Sequence, residues 1–442
     1  MNKPENICER IFALAKDVQT EALIERSTGA LTRFADNEIS QNVYSDSSNI
    51  SIRFVDNGRT SRVTLNQSDE AALTRAVKTG LETLKKQKKD VSLLPLAGPG
   101  RIEHGKNIFS KDTADLSPSY RAQKIKSLVQ ACKKAGQTAY GTLENGLSSC
   151  TVANSRGVFA EHRESCITYS VTVRDGDGFG WAETPAACAG QIDFEAVNRT
   201  ARLKASMSKK PSDIKPGRYP VILEPAAAAD LLSYLCVFGF GGLFYNEGSS
   251  FASGNLGKKL LSGKLSIEDY ALHGPASGMP FDFEGQPRRR VVLVDNGVLK
   301  GVVHDRKTAS AAKTRSTGHA LPQPSSFTPF PLNLSVRPGD SSVEEMIKSS
   351  ERAVLVTQFH YTNLLKPLNV EMTGMTRNGT FLIENGKISK PLKNLRFTQS
   401  ITEAFRETEA VGRTAELRQV WGKLSCPAFK LKAFNFSSAT EF

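Results

Sequence analysis

The most informative features of this sequence are absences. No apolar run in the 442 residues approaches the roughly 20 positions a membrane-spanning helix requires. The opening residues, with Glu5, Glu9 and Arg10 among them, have no apolar segment behind a charged start, so no secretory signal is read there. Together these set the expectation of a cytoplasmic protein. Cysteine is sparse: Cys8, Cys132, Cys150, Cys166, Cys188, Cys236 and Cys426 are odd in number, far apart, and include no CxxC pair. That excludes a disulfide framework or zinc knuckle and predicts free, mostly buried thiols. No GxSxG nucleophile elbow occurs. Histidine is limited to His104, His162, His273, His304, His319 and His360, and the nearest pair, His304 and His319, is 15 positions apart. No single helix can therefore present two imidazoles to one metal ion.

What is present points to a folded chain of two or three domains, since 442 residues exceed one ordinary core and 39% are hydrophobic. The net charge of +13 raises the possibility of nucleic-acid binding. The positive residues are scattered, however, and their densest runs (85–89, 209–210 and 288–290) lack interleaved aromatics. A single-strand platform would need those rings, so these runs are read as solvated helix ends and loops.

Apolar spacing predicts a helix over residues 5–25, with strands at 22–27, 31–35 and 49–56, the last turning at Asn57-Gly58 into a strand over 59–65. The polar cluster 66–70 caps a helix through Leu73, Val77 and Leu81. After a Pro/Gly loop the pattern recurs: a helix from Ser117-Pro118, strands at 141–144, 148–154, 158–161 and 166–174, and a helix over 194–207. The glycine-rich 175–180 segment joins extended runs, so it is not read as a phosphate loop. Residues 206–219, polar and basic with Pro211, Pro216 and Gly217, form the best linker. Beyond it come a strand at 220–223, a helix on an alanine run at 225–235, and mostly short strands. The expected fold is α+β: an N-terminal domain over 1–212, with sub-units 1–100 and 101–212 an option, and a β-rich domain over 213–442.

The second half carries a series of turn motifs in a fixed order. These are Gly254–Lys258, Phe281-Asp282-Phe283-Glu284-Gly285, Asp295-Asn296-Gly297, His304-Asp305-Arg306-Lys307-Thr308-Ala309 and Ser316-Thr317-Gly318-His319-Ala320, followed by Pro338-Gly339-Asp340, Gln358–Asn363, Thr373–Phe381 and Ile383–Gly386. Together with 34–41 and 154–157 in the first half, the ordered set resembles the TldD/PmbA family of peptidases over essentially the whole chain. The resemblance implies the fold just outlined. It also implies proteolysis: catalytic members carry an HExxxH helix early in the second domain, whose histidines hold zinc while the glutamate takes a proton from the metal-bound water.

At the corresponding place this chain has Glu224-Pro225-Ala226-Ala227-Ala228-Ala229-Asp230-Leu231-Leu232. Alanine cannot ligate, and the departure resembles the PmbA (TldE) branch, the metal-free partner in a two-subunit protease. No metal or cofactor is therefore expected in this chain, and zinc is expected in a partner. The partner is either a metal-bearing TldD-like homologue or a second copy, with unfolded peptide as substrate and neither membrane nor nucleic acid involved. Residues to watch are His304, His319 and His360, which the fold could bring together, although each reads first as a hydrogen-bonded structural or surface histidine. Arg306, Tyr361 and Arg377 are candidate peptide contacts. Gly241-Gly242 is read as a point where another chain or a peptide approaches closely. Peptide would add as a strand to an exposed sheet edge. The alternatives are a stand-alone hydrolase with an unrecognised site, and a non-enzymatic regulatory or nucleic-acid-associated protein.

Overall fold

The computed structural model describes residues 3–440 and contains two sheets with helices packed against them. The N-terminal half runs α1 (Pro4–Leu14), β1 (Gln19–Ala35), β2 (Glu38–Asp56), β3 (Arg59–Leu65), α2 (Glu70–Lys86), α3 (Lys111–Ala114), α4 (Pro118–Lys134), β4 (Thr138–Asn154), β5 (Phe159–Asp175), β6 (Gly178–Ala186) and α5 (Phe194–Met207). Its six strands form one antiparallel sheet in the order β3-β2-β1-β4-β5-β6. Strand β1 pairs β2 on one side and β4 on the other. The segments before and after residue 100 therefore share a single sheet.

Several local readings are corrected here. The helix expected over 5–25 ends at Leu14, because the chain from Gln19 ladders to β2 and from Glu21 also to β4, with Thr20 to Ile24 buried on both faces of the sheet. The strand pairs expected at 22–35, 141–154 and 158–174 are single strands of 17 residues each. Alternation lapses at Ser27–Ala30, but ladders on both flanks hold the chain extended there. Helices α2, α4 and α5 begin where expected, each with a polar side chain at its N-cap: Asp69 accepts from the Ala72 N–H, Ser117 from Tyr120 and Asp193 from Ala196.

The C-terminal half runs β7 (Gly217–Leu223), α6 (Pro225–Phe240), α7 (Gly242–Asn246), β8 (Ile267–Asp269), β9 (Val291–Asp295), β10 (Val298–Leu299), α8 (Arg306–Ala311), β11 (Asn333–Val336), α9 (Val343–Lys348), β12 (Arg352–Lys366), β13 (Glu371–Glu384), β14 (Lys387–Pro391), β15 (Leu395–Ser400), α10 (Ile401–Arg406), β16 (Thr408–Gln419) and β17 (Lys423–Ala439). Eleven strands form its sheet, and β12, β13 and β17 are long rather than short as expected. Because β17 pairs both β15 and β7, the strands β7-β12-β13-β15-β17 close on themselves. The largest core lies against them, with Val221, Leu223, Val354, Val356 and Phe429 meeting the wholly buried Ala227–Ala229, Leu231 and Leu232 of α6.

Helix α6 runs five residues beyond the expected Leu235. Gly239 lets it do so: a side chain there would strike the Phe251 ring, its Cβ falling 2.2 Å from ring carbon. The Gly241-Gly242 pair brings the chain against itself, not against a second molecule. A Cβ on Gly241 would lie 2.3 Å from Thr328 Oγ1, and one on Gly242 2.5 Å from His304 Nδ1. Among the described residues no helix is long and apolar enough to cross a membrane.

Candidate functional site

A cleft of about 1190 Å³ opens between the two halves at the head of α6. Two strand edges flank it. Strand β6 ends the N-terminal sheet and is laddered only to β5. Strand β16 hangs from β17, and among the described residues its other side is bridged near Gly412, by Gly339 and Ser341. Residues 181–186 of β6 and 412–419 of β16 line the opening together with Glu224, Pro225 and Ala226.

Ion pairs cross the cleft and fix its width. Lys423 Nζ of β17 lies 2.9 Å from Glu164 Oε2 of β5, Lys204 of α5 pairs with Glu224, and Arg418 Nη1 donates to the Glu183 carbonyl at 2.7 Å. Burial alone would raise Glu164, but the hydrogen bond from His162 and the charge of Lys423 outweigh it and hold the carboxyl down to about 2. Burial wins at Glu183, which is raised against the pull of Arg418. On the wall formed by β12, the Thr357 hydroxyl is buried with no hydrogen-bond partner, a donor and acceptor left open where the cleft passes.

The donor set at the head of α6 does not fit zinc. Glu224 is engaged by Lys204, residues 226–229 are alanine, and Asp230 accepts from Thr362 Oγ1 at 3.2 Å. Among the described residues no three His, Cys, Asp or Glu side chains gather as a metal site. Burial pushes Asp230 up to about 6, against the hydrogen bond from Thr362.

The residues singled out from sequence fall into two places. His304 and His319 are buried near each other: His304 Nδ1 sits 3.2 Å from Thr308 Oγ1, and Thr317 Oγ1 donates to the His304 carbonyl and lies 2.9 Å from His319 Nδ1. His319 Nε2 is 3.0 Å from Asp269 Oδ1, which also takes Arg288 Nη2 at 2.8 Å. Arg288 is therefore a buried ion-pair partner, not the solvated loop residue expected. Burial lowers both histidines. Arg306 binds the two halves together, Nη1 reaching the Pro95 carbonyl at 2.9 Å and Glu284 at 3.4 Å. Glu284 in turn lies 3.7 Å from Arg53, itself 2.9 Å from Glu21.

His360, Tyr361 and Arg377 form the second place, on the β12–β13 ladder where the register shifts between His360 and Asn363. Arg377 Nη1 is 2.7 Å from His360 Nε2, and the His360 and Tyr361 rings meet edge-on at 4.2 Å. Tyr361 is 73% exposed, with φ at +52°. The same bulge reaches α6, because the Tyr234 hydroxyl donates to the Thr362 carbonyl at 2.8 Å. Burial and the Arg377 charge lower His360. Trp181, Glu183, Thr357 and Arg418 in the cleft were not singled out from sequence, since no local motif marks them and strands distant in the chain assemble them.

The thiols are all free. Four are buried, including Cys236, whose burial pushes it far above the ordinary thiol range. This is the core cysteine expected, not a nucleophile.

Family models match in chain order: the PmbA/TldA metallopeptidase domain 1 over residues 20–84, the central domain over 111–208 and the C-terminal domain over 216–438. A metalloprotease TldD homolog of Buchnera aphidicola subsp. Schizaphis graminum is 26% identical over 307 residues, covering 63% of this chain and 61% of that protein. Metalloprotease PmbA of Escherichia coli O157:H7 is 26% identical over 283 residues, covering 63% of this chain and 56% of its own length. The chain thus aligns with somewhat under two thirds of these relatives. The crystal structure of TldE from Thermococcus kodakarensis shares the fold with a TM-score of 0.88 at 20% identity, over 98% of this chain and 99% of that one. By the three ordered domain matches, the chain belongs to the PmbA/TldA metallopeptidase family.

Proposed function

We propose that this chain is the substrate-holding, non-metal subunit of a two-chain peptidase, with unfolded peptide bound in extended form between β6 and β16. The zinc and the base come from a metal-bearing relative. The observation that carries this reading is the cleft at the head of α6, where two strand edges face each other. Backbone hydrogen bonds to such edges hold peptides of varied sequence, as a protein that trims unfolded chains requires. The unpaired Thr357 hydroxyl lines the same cleft. His360, Tyr361 and Arg377, exposed beside α6, contact the peptide as it leaves or the partner that processes it. Arg306, His304 and His319 hold the frame.

The test is amide exchange with an unstructured, fluorescently labelled peptide of about ten residues, alone and with a metal-bearing relative from the same genome. Bound peptide should slow exchange at 178–186 or 413–419, and turnover should appear only in the mixture. Binding that protects neither edge would reject the cleft. Turnover by the chain alone, lost in His360→Ala, would favour a stand-alone hydrolase.

A further inference from the structure

A second cavity, of about 660 Å³, adjoins the cleft and shares Glu164, Gln419 and Lys423 with it, so the Glu164–Lys423 pair borders both. Its floor is the N-terminal sheet. The ladders set Asn49, Glu25, Cys150 and His162 side by side across β2, β1, β4 and β5, and residues directly opposite share a face. All four line the cavity. The facing wall comes from the second half and includes Met279, Phe283 and Trp421.

The cations at this cavity are already matched, and one of its carboxylates is not. Lys423 is bound to Glu164 and Arg288 to Asp269, while Arg26 leaves β1 from the opposite face of the sheet. His162 meets Glu164 at 3.3 Å. Burial and the Glu25 charge push the Cys150 thiol far above its ordinary range, so it adds no charge of its own. Glu25 is half-buried and accepts from Asn49 Nδ2 at 3.3 Å, and among the described residues it meets no Lys or Arg in an ion pair. A carboxylate so placed favours a cationic ligand.

Both edges of the cleft run toward this cavity. Strand β16 ends at Gln419, on its rim. Strand β6 ends at Ala186, paired with Ile167, and the Ala187 carbonyl that follows accepts from Ser165 Oγ at 2.7 Å, one residue from Glu164. A peptide strand antiparallel to either edge therefore has its amino end at the cavity, and antiparallel pairing is the more stable per residue. We infer that the cavity takes the free α-amine of the bound peptide, with Glu25 as its counter-charge, so that the chain selects peptides whose amino end is unblocked. This rests on the peptide reading above and names the substrate class of that site. Residues 413–419 of β16 span about 23 Å at 3.3 Å per residue, so a peptide of about ten residues covers the edge and reaches Glu25.

The experiment uses the full chain and one such peptide in three forms: free at both ends, amidated at the carboxyl end, and both amidated and acetylated at the amine. Trp181 lines the cleft and Trp421 the second cavity, so in Trp181→Phe the remaining indole reports the cavity. The amidated free-amine peptide should change Trp421 fluorescence, and acetylation should weaken binding on the order of tenfold and remove that change. Glu25→Gln should weaken the free-amine peptide by the same factor and leave the acetylated one unaffected. If circular dichroism shows that Glu25→Gln does not fold, the acetylation comparison decides alone. Equal affinity with and without the acetyl group would overturn the inference, as would a tenfold loss to which Trp421 does not respond. Affinity lost on amidation instead would put the carboxyl end in the cavity and overturn it too. Amide exchange separates this from the cleft reading. An acetylated peptide that protects β6 or β16 as well as the free one rejects the amine site alone, whereas a free-amine peptide that protects neither edge rejects both.

Discussion

Asp269 ties four groups of the second half together. It is fully buried, and its carboxylate meets Arg288 Nη2 at 2.8 Å, His319 Nε2 at 3.0 Å, and the Leu332 and Asn333 N–H groups at 2.7 and 2.8 Å. Burial opposes its charge, but Arg288 and His319 override that and hold it far below the usual carboxylate range. Its contribution is therefore complete above the unfolded value of about 3.9 and is lost only as pH falls well below it. Asp269→Ala should cost about 3–5 kcal/mol at pH 7, because Arg288 is left charged and unpaired in the core. Urea midpoints check this, and a loss under 1 kcal/mol would mean the cluster relaxes to water. His319 stood out in sequence for its Ser-Thr-Gly turn, and the structure gives that turn a role in fixing the ring. Its partner Asp269, 50 residues earlier, was not legible, because a side-chain contact across that separation leaves no local pattern.

Helix α6 shows what an element's sequence can and cannot disclose. Its alanine run predicted a helix, and alanine is what lets the closed strands approach its buried faces closely. What the run could not show was that Asp230 would lie half-buried at that packing, with Thr362 as its hydrogen-bond donor. Since burial pushes Asp230 up to about 6, the folded state prefers it protonated. The stability this gives is complete below the unfolded value of about 3.9 and is lost as pH rises through 6. Asp230→Asn keeps the acceptor for Thr362 and removes the titration. It should match the wild type near pH 4 and exceed it by about 2–3 kcal/mol at pH 8. Melting temperatures at both pH values decide this, and an equal shift at the two would locate the effect elsewhere. Strand lengths were misjudged for a related reason: β1 and β4 contain weak stretches that neighbouring ladders carry, and pairing is not a property of one segment.

At the scale of the whole molecule, the two halves are joined by specific ion pairs, some across the cleft and some away from it. Arg306, Glu284 and Arg53 link the halves away from the cleft lining, and Glu164–Lys423 with Lys204–Glu224 spans the cleft. Composition showed a surplus of basic residues but not that several of them face carboxylates from the opposite half. Lys423→Met keeps the apolar stem and removes the charge that helps depress Glu164. It should cost about 1–2 kcal/mol at pH 7. It should also speed amide exchange along β6 and β16, because the bridge no longer holds the edges at their present spacing. The sign with pH follows from the depressed carboxyl. The Glu164 contribution is present above its unfolded value of about 4.3 and is lost as pH falls toward 2. The gap between wild type and Lys423→Met should therefore close over that interval. Urea unfolding at pH 7, 4 and 2.5 tests the argument directly: a gap that stays constant would show that Lys423 acts through packing, and that the cleft is held open by other means.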